Sequence, residues 1–74
     1  MKALHLEKSV YELCSEYPDL VHAMREIGFV NITKQGMLQS VGRMMTIPKG
    51  CRAMEMSLDQ VCEQLKQHGF KTIK

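Results

Sequence analysis

The chain has 74 residues, of which 45% are hydrophobic and 24% charged, the ordinary composition of one globular domain near the lower size limit for a self-sufficient core. We therefore expect a single domain over residues 1–74, with its core between residues 4 and 70. No apolar run reaches the roughly 20 residues that span a bilayer, and the N-terminus lacks a signal-peptide stretch, so we expect a cytoplasmic protein without a membrane partner. A net charge of +2 is far below the footprint of most nucleic-acid-binding domains and argues against such a partner.

Two amphipathic helices are predicted in the first part of the chain. Ser9 and Glu12 form a capping-box pattern that opens the first helix, and Pro18 ends it because proline disfavours helical geometry in the residue before it. The second helix, over residues 18–29, has a narrow apolar stripe and closes on Gly28, which can adopt the left-handed conformation of a helix end. We expect the other elements to pack around this second helix.

The remaining sequence predicts two more helices and a less regular segment. Thr33 is the best N-cap for a third helix over residues 34–45, and Pro48 interrupts the pattern after it. Residues 48–55 fit either a short helical turn or an ordered loop. Ser57 opens the last helix, which ends at Gly69, and the basic tail of residues 71–74 should fray. The predicted fold class is all-α, a small irregular bundle of four to five short helices.

Three runs of the sequence carry a resemblance to a known family: SVYELCSEYPDLVHAMREIGF, MLQSVGRMMTIPKG and SLDQVCEQLKQHGF. Over residues 4–70 the chain resembles a small all-helical domain of unknown function, which occurs alone and at the N-terminus of larger proteins, including hemerythrin-like and iron–sulfur-repair proteins. The resemblance implies a compact helical domain, often accessory to another module, and brings no established activity. One branch of the family has paired cysteines directly after its glycine–phenylalanine stop. This chain resembles the variant without that pair, because Val30 and Asn31 follow Gly28 and Phe29, and this argues against thiol chemistry.

The thiol and imidazole groups form no usual metal-binding pattern. The candidate ligands are Cys14, Cys51, Cys62, His5, His22 and His68. None of them shows a zinc spacing, so we predict neither a metal site nor a cofactor. Cys14 and Cys62 lie on apolar helix faces and should be buried structural residues. Cys51 lies between Lys49 and Arg52 in a predicted loop, where their charges favour the thiolate, so it is the candidate reactive thiol; the simpler interpretation is an incidental surface thiol.

Residues 27–54 carry no acidic side chain and four basic ones: Lys34, Arg43, Lys49 and Arg52. These four are the candidate anion-binding residues, helped by backbone N–H groups at the start of the third helix. Nucleic-acid binding ranks lower, because the aromatic residues that could stack on bases lie outside residues 34–52. Spread charges of this kind are more often a solvated face.

Five methionines crowd the middle of the chain: Met37, Met44, Met45, Met54 and Met56. They can fill irregular gaps in a core, or they can form an exposed adaptable patch for a partner or a second copy of the chain. Because the apolar arc of the third helix is wider than one neighbouring helix covers, we predict that Met44 or Met45 lies at an interface, most simply that of a two-fold homodimer. Met37, Met44 and Met45 are the candidate interface residues.

The sequence contains no pattern typical of catalysis. It lacks a G-x-S-x-G elbow, a glycine-rich phosphate loop and a convincing pair of acid–base carboxylates, so we predict that the protein is not an enzyme. The predicted function is that of a non-catalytic interaction or regulatory module, which engages a partner protein, an adjoining domain or itself. The alternative is a thiol- or metal-linked redox accessory domain. Binding of a small anion or of nucleic acid ranks below both.

Overall fold

The computed structural model describes residues 2–34 and 36–73, without the side chain of Asn31. Five α-helices, two 3-10 turns and two short strands follow one another in this part of the chain. They are β1 (Lys2–His5), α1 (Val10–Glu16), α2 (Leu20–Ile27), the first 3-10 turn (Val30–Thr33), α3 (Met37–Ser40), the second 3-10 turn (Val41–Arg43), α4 (Ile47–Ala53), α5 (Leu58–Gln67) and β2 (Phe70–Ile73).

The prediction of an all-α fold is wrong, because the two strands form a parallel sheet beside the helices. In its register Lys2 lies opposite Phe70 and His5 lies opposite Ile73. Each strand has only four residues, too short an alternation of apolar and polar side chains to stand out in the sequence. The hydrogen bonds that define each strand join it to the other strand, which is far away along the chain, so local sequence patterns do not show them.

The prediction that the C-terminal tail frays is also wrong for residues 71–73, which belong to β2. Phe70 opens this strand and is buried, and the N–H of Leu6 donates to the carbonyl of Ile73 at 2.8 Å. Lys74, the last residue of the predicted tail, lies outside the described residues. The tail is thus held by a buried aromatic ring and by backbone pairing.

The first two helices form as their local signals predict. Ser9 caps α1 through a reciprocal capping box, in which its hydroxyl accepts from the N–H of Glu12 at 3.1 Å and its own N–H donates to the Glu12 carboxylate at 3.2 Å. The end of α2 is Gly28, whose φ of +133° suits a residue without a Cβ. These ends fix where the buried stripes of α1 and α2 begin and stop.

The predicted third helix, over residues 34–45, is broken in the structure. Gly36 has a φ of +82°, which excludes it from a helix, so α3 begins only after it and the second 3-10 turn follows directly. Thr33 does not cap a helix: its hydroxyl donates to the carbonyl of Val30 at 2.6 Å and closes the first 3-10 turn. Gln35, also in the predicted helix, lies outside the described residues.

Gly42 marks the place where α1 crosses this broken segment. A Cβ at Gly42 would lie 3.0 Å from Cδ1 of Leu38 and 3.6 Å from the backbone nitrogen of Tyr11. The N–H of Val10 also donates to the carbonyl of Met45 at 2.7 Å, which ties the start of α1 to the end of the same segment. Close packing against α1 therefore replaces the continuous helix that the apolar pattern predicts.

Residues 48–55, which fit either a helical turn or a loop, belong largely to α4. Thr46 caps this helix by accepting from the N–H of Lys49 at 3.3 Å, and Pro48 lies in the first turn, where its missing N–H costs nothing. The last helix, α5, begins as predicted at the Ser57 cap and is followed by Gly69, whose φ is +90°.

The core brings together residues from both strands and from all the long helices. Its buried hydrophobic members are Leu4, Leu6, Val10, Leu13, Cys14, Leu20, Ala23, Met24, Phe29, Ile32, Ile47, Cys51, Val61, Leu65 and Phe70. No charged or polar residue is buried in the described part of the chain. Within the same residues, none of the helices has the length and apolar character needed to cross a membrane.

Candidate functional site

An apolar concavity of about 280 Å³ opens on the side of the molecule formed by the broken third segment and α4. We call it the methionine groove and define it by its lining residues, which are Phe29, Ile32, Met37, Val41, Met45, Ala53 and Met54. None of these side chains carries a charge or a hydrogen-bonding group other than a thioether sulfur. The groove can therefore bind apolar groups, and its walls contain no acid, base or nucleophile.

The floor of the groove is set by Phe29, which follows the glycine stop of α2 and is only 4% exposed. Gly50 of α4 packs directly behind it. A Cβ at Gly50 would lie 3.0 Å from Cε1 of Phe29 and 3.2 Å from Sδ of Met45. The absence of a side chain at Gly50 thus lets α4 approach closely and places both residues where they line the groove.

The rim of the groove leaves apolar side chains in contact with solvent. Met54 is 42% exposed and Val41 38% exposed, and both line the concavity. Large apolar side chains at such exposure lose the free energy that their burial would contribute, roughly 1.5–3 kcal/mol for each fully buried side chain. A partner that covers the rim would therefore gain free energy by removing this apolar surface from water.

The predicted interface residues separate into two groups. Met37 and Met45 are half-buried and line the groove. Met44 is 81% exposed and is not among the lining residues. Met45 also packs against the core, whereas Met44 lies in solvent. Placement of Met44 or Met45 at an interface stays a prediction.

The four candidate anion-binding residues lie on three separate parts of the fold. Lys34 follows the first 3-10 turn, Arg43 belongs to the second, and Lys49 and Arg52 are on α4; all four are exposed. The guanidinium of Arg43 lies 4.6 Å from the centroid of the Tyr11 ring, a cation–π contact. The three ion pairs among the described residues involve none of the four. Anion binding by them stays a prediction.

Cys51 does not lie in a loop, contrary to the sequence-based expectation. It belongs to α4 and is 2% exposed, because its helix turns this side chain into the core while Lys49 and Arg52 face solvent. Burial raises the pKa of the Cys51 thiol, and the neighbouring Cys62 raises it further. The basic flanks therefore do not determine the environment of this sulfur, which lacks the electropositive, accessible surroundings of a reactive thiol.

The other two cysteines also differ from each other. Cys14 is 5% exposed, and burial raises the pKa of its thiol from the ordinary 9.0 to about 11. Cys62 is only half-buried and lines a second concavity, between α5 and β2. The prediction that Cys14 is buried is confirmed, whereas Cys62 is less buried than predicted.

We expect Cys62 to react with a thiol reagent before Cys14 and Cys51 in the folded protein. The thiolate is the attacking species, and burial both raises the pKa of the other two thiols and blocks access to them. Peptide mass mapping after timed alkylation at neutral pH measures the order, with the unfolded protein as the control in which all three should label together. Labelling of Cys51 first would contradict the buried position of that residue.

A concavity lined largely by polar side chains lies along α2 and beside the end of α5. Its lining residues are Asp19, His22, Ala23, Glu26, His68 and Phe70. Nε2 of His68 lies 3.3 Å from a carboxylate oxygen of Glu26. Within residues 2–34 and 36–73, no group of three or more histidine, cysteine, aspartate or glutamate side chains is placed to hold a metal ion.

Sequence analysis missed four members of the groove: Phe29, Ile32, Val41 and Ala53. A signal for the first two was present, because Phe29 and Ile32 are large apolar residues outside any predicted helix and therefore need a tertiary partner. Val41 and Ala53 had no such signal. They line the groove only because the third segment breaks and α4 packs beside it.

One family matches the chain by its sequence profile, and it is described as Domain of unknown function (DUF1858). The match covers residues 4–62 and so includes β1 in part, α1 to α4 and the first half of α5. It contains all the residues of the methionine groove. No curated protein and no solved structure matches the chain. The chain belongs to the DUF1858 family of domains of unknown function.

Proposed function

We propose that this domain is a non-catalytic interaction module whose methionine groove receives apolar side chains from another polypeptide. The observation that carries the proposal is the groove itself, seven apolar residues around about 280 Å³, with Val41 and Met54 partly exposed at its rim. Contiguous apolar surface open to solvent is typical of binding sites for protein or small apolar ligands.

The composition of the groove supports a polypeptide as the ligand. Three of its seven lining residues are methionines, whose flexible, polarisable side chains repack around different partners. The volume lies at or below the lower end of the roughly 300–1,000 Å³ typical of small-molecule pockets, and the groove lacks the few polar groups that orient such ligands. One or two side chains of a partner fit these dimensions and this chemistry.

The resemblance to accessory domains of larger proteins supports the same function. That resemblance implies a domain that is often accessory to another module, and such a module would be a natural partner for an apolar groove. The redox alternative receives less support, since Cys14 and Cys51 are buried and the groove contains no thiol.

The proposal is tested by affinity capture from an extract of the source cells with three forms of the domain. Met54→Glu places a carboxylate at the groove rim, and a bound partner would have to remove this carboxylate from water. The affinity for the partner should therefore fall at least about 30-fold, or ~2 kcal/mol. Met44→Glu is the matched control, because Met44 is exposed outside the groove. Both variants should retain the helical circular dichroism of the parent.

A partner retained by the parent and by Met44→Glu, but lost with Met54→Glu, is the expected result. Equal capture by all three forms, or loss with Met44→Glu alone, would contradict the groove as the binding site. Sedimentation of each purified form across a wide concentration range detects the remaining alternative, a homodimer, which should dissociate on Met54→Glu only if the groove forms its interface.

A further inference from the structure

The segment of chain that builds the methionine groove carries charged side chains of a single sign. All seven lining residues fall within residues 29–54, and the enclosing segment 27–54 contains basic side chains but no acidic one. The first acidic residue after it is Glu55, which has a φ of +56° and follows Met54 at the end of α4. The eight acidic residues of the protein all lie outside the segment that builds the groove.

Helical geometry places one of these basic residues close to the rim. Lys49 and Ala53 are four residues apart on α4 and so neighbour each other on its surface, and Ala53 lines the groove. Lys34 lies in the short stretch of chain between Ile32 and Met37, two other lining residues. Lys49 therefore brings a positive charge beside the groove, and Lys34 brings a second one into the chain segment that lines it.

The walls of the groove also restrict the backbone conformation of an occupant. The lining residues come from helices, 3-10 turns and the residue after the α2 stop, and neither β1 nor β2 contributes one. An extended segment would find no strand edge here to pair with, and its buried N–H and carbonyl groups would stay unpaired. A helix satisfies its own backbone groups and presents only side chains.

A two-fold homodimer through the same surface would carry an electrostatic cost. The large hydrophobic residues that are exposed in the described part of the chain are Val30, Val41, Met44 and Met54, and all of them lie in the basic segment. Association through these residues would bring like charges together. The acidic helix α1 could not enter the groove of a second copy with its apolar side chains, because Val10, Leu13 and Cys14 are buried in the core of its own chain.

We propose that the occupant of the methionine groove is an amphipathic helix of a partner protein, with two neighbouring apolar side chains and with aspartate or glutamate beside them. The inference rests on the proposed function and adds the chemistry of the partner. The apolar pair follows from the volume, because a cavity of about 150 Å³ holds one benzene-sized group and the groove has about 280 Å³. Side chains four residues apart on a helix have the required spacing of about 5–6 Å.

Methionine methyl groups provide a direct readout of binding at this site. The domain is labelled with ¹³C at its methionine methyls and titrated with three synthetic peptides. The first is a stabilised helix with two leucines four residues apart and flanking glutamates, the second has lysines in place of the glutamates, and the third has the acidic composition with a central proline. Met37, Met45 and Met54 report on the groove, and buried Met24 is the internal control.

We expect the acidic helical peptide to shift the three groove methyls and to leave Met24 unchanged. The lysine peptide and the proline peptide should each bind at least about tenfold more weakly. Lys49→Glu should weaken binding of the acidic peptide and strengthen binding of the lysine peptide. The groove itself should keep its shape, since Lys49 is exposed and is not one of the lining residues. Raising the salt concentration should weaken binding of both glutamate-containing peptides and should not weaken binding of the lysine peptide.

Other outcomes separate this inference from the proposed function. Equal binding of the acidic and lysine peptides would overturn the acidic partner and leave the groove as a binding site. If the proline peptide bound more tightly than the acidic helical peptide, the inference of a helical partner would be overturned. Absence of any groove shift with all three peptides would overturn both proposals. Groove shifts that depend on the concentration of the domain alone would identify a second copy as the occupant.

Discussion

Replacing Phe70 with alanine should remove most of the stability of the domain. The side chain is 2% exposed and packs edge-to-face against Tyr17, with ring centroids 6.1 Å apart and an interplanar angle of 66°. Truncation of a buried phenylalanine costs about 3–5 kcal/mol, and a domain of this size has a free energy of unfolding of about 5 kcal/mol. Thermal unfolding followed by circular dichroism should show a fall in Tm of roughly 15–30 °C or no transition at all.

The matched control is Lys71→Ala, one residue further along the same strand. Lys71 is exposed, so its truncation should change the free energy of unfolding by no more than about 0.5 kcal/mol. If both variants melted like the parent, the C-terminal segment would be a frayed tail and β2 would not contribute to the core. A large loss of stability in the Lys71→Ala variant alone would also be inconsistent with the structure.

Replacing Gly50 with valine should destabilise the domain by about 1–3 kcal/mol and disturb the methionine groove. Even the Cβ atom would lie 3.0 Å from the ring of Phe29 and 3.2 Å from the sulfur of Met45, and valine adds two further methyl groups. Phe29 is nearly fully buried and has little space to retreat, so the added volume should push it and Met45 toward the groove. The Met45 methyl resonance should shift together with the loss of stability.

Ala53→Val in the same helix controls for the effect of a β-branched residue in α4. Ala53 is exposed, so this variant should keep the parental stability to within about 0.5 kcal/mol. A Gly50→Val variant as stable as the parent, with an unchanged Met45 resonance, would show that α4 does not approach Phe29 as closely as the structure has it.

The helix ends of this protein are determined locally and could be predicted from the sequence. The cap at Ser9 needs only Glu12, three residues on, and the cap at Ser57 needs only the N–H of Gln60. Gly28 stops α2 through its own conformational freedom. All the interacting groups lie within one helical turn, so their sequence spacing is enough to place them.

The third segment shows where local patterns stop being sufficient. Its apolar residues have helical spacing, yet Gly36 turns the chain and Gly42 packs against the backbone of Tyr11, so the segment divides into α3 and a 3-10 turn. The pattern predicted one apolar helix face, whereas Val41 and Met44 of this face are exposed. It did not record that another helix crosses at Gly42, because that contact joins residues distant in the sequence.

Three features follow from the sequence alone: the helical caps, the buried faces of α1, α2 and α5, and the basic, methionine-rich character of residues 27–54. Contacts between distant segments are needed to make Phe70 the start of a strand beside β1, to turn Cys51 toward the core, and to place Met45 but not Met44 in a groove. The two sets of features differ in the range of the interactions that produce them. Caps and amphipathic faces arise within one or two turns, whereas strand pairing, burial of one face of α4 and the shape of a groove depend on which distant segments come into contact.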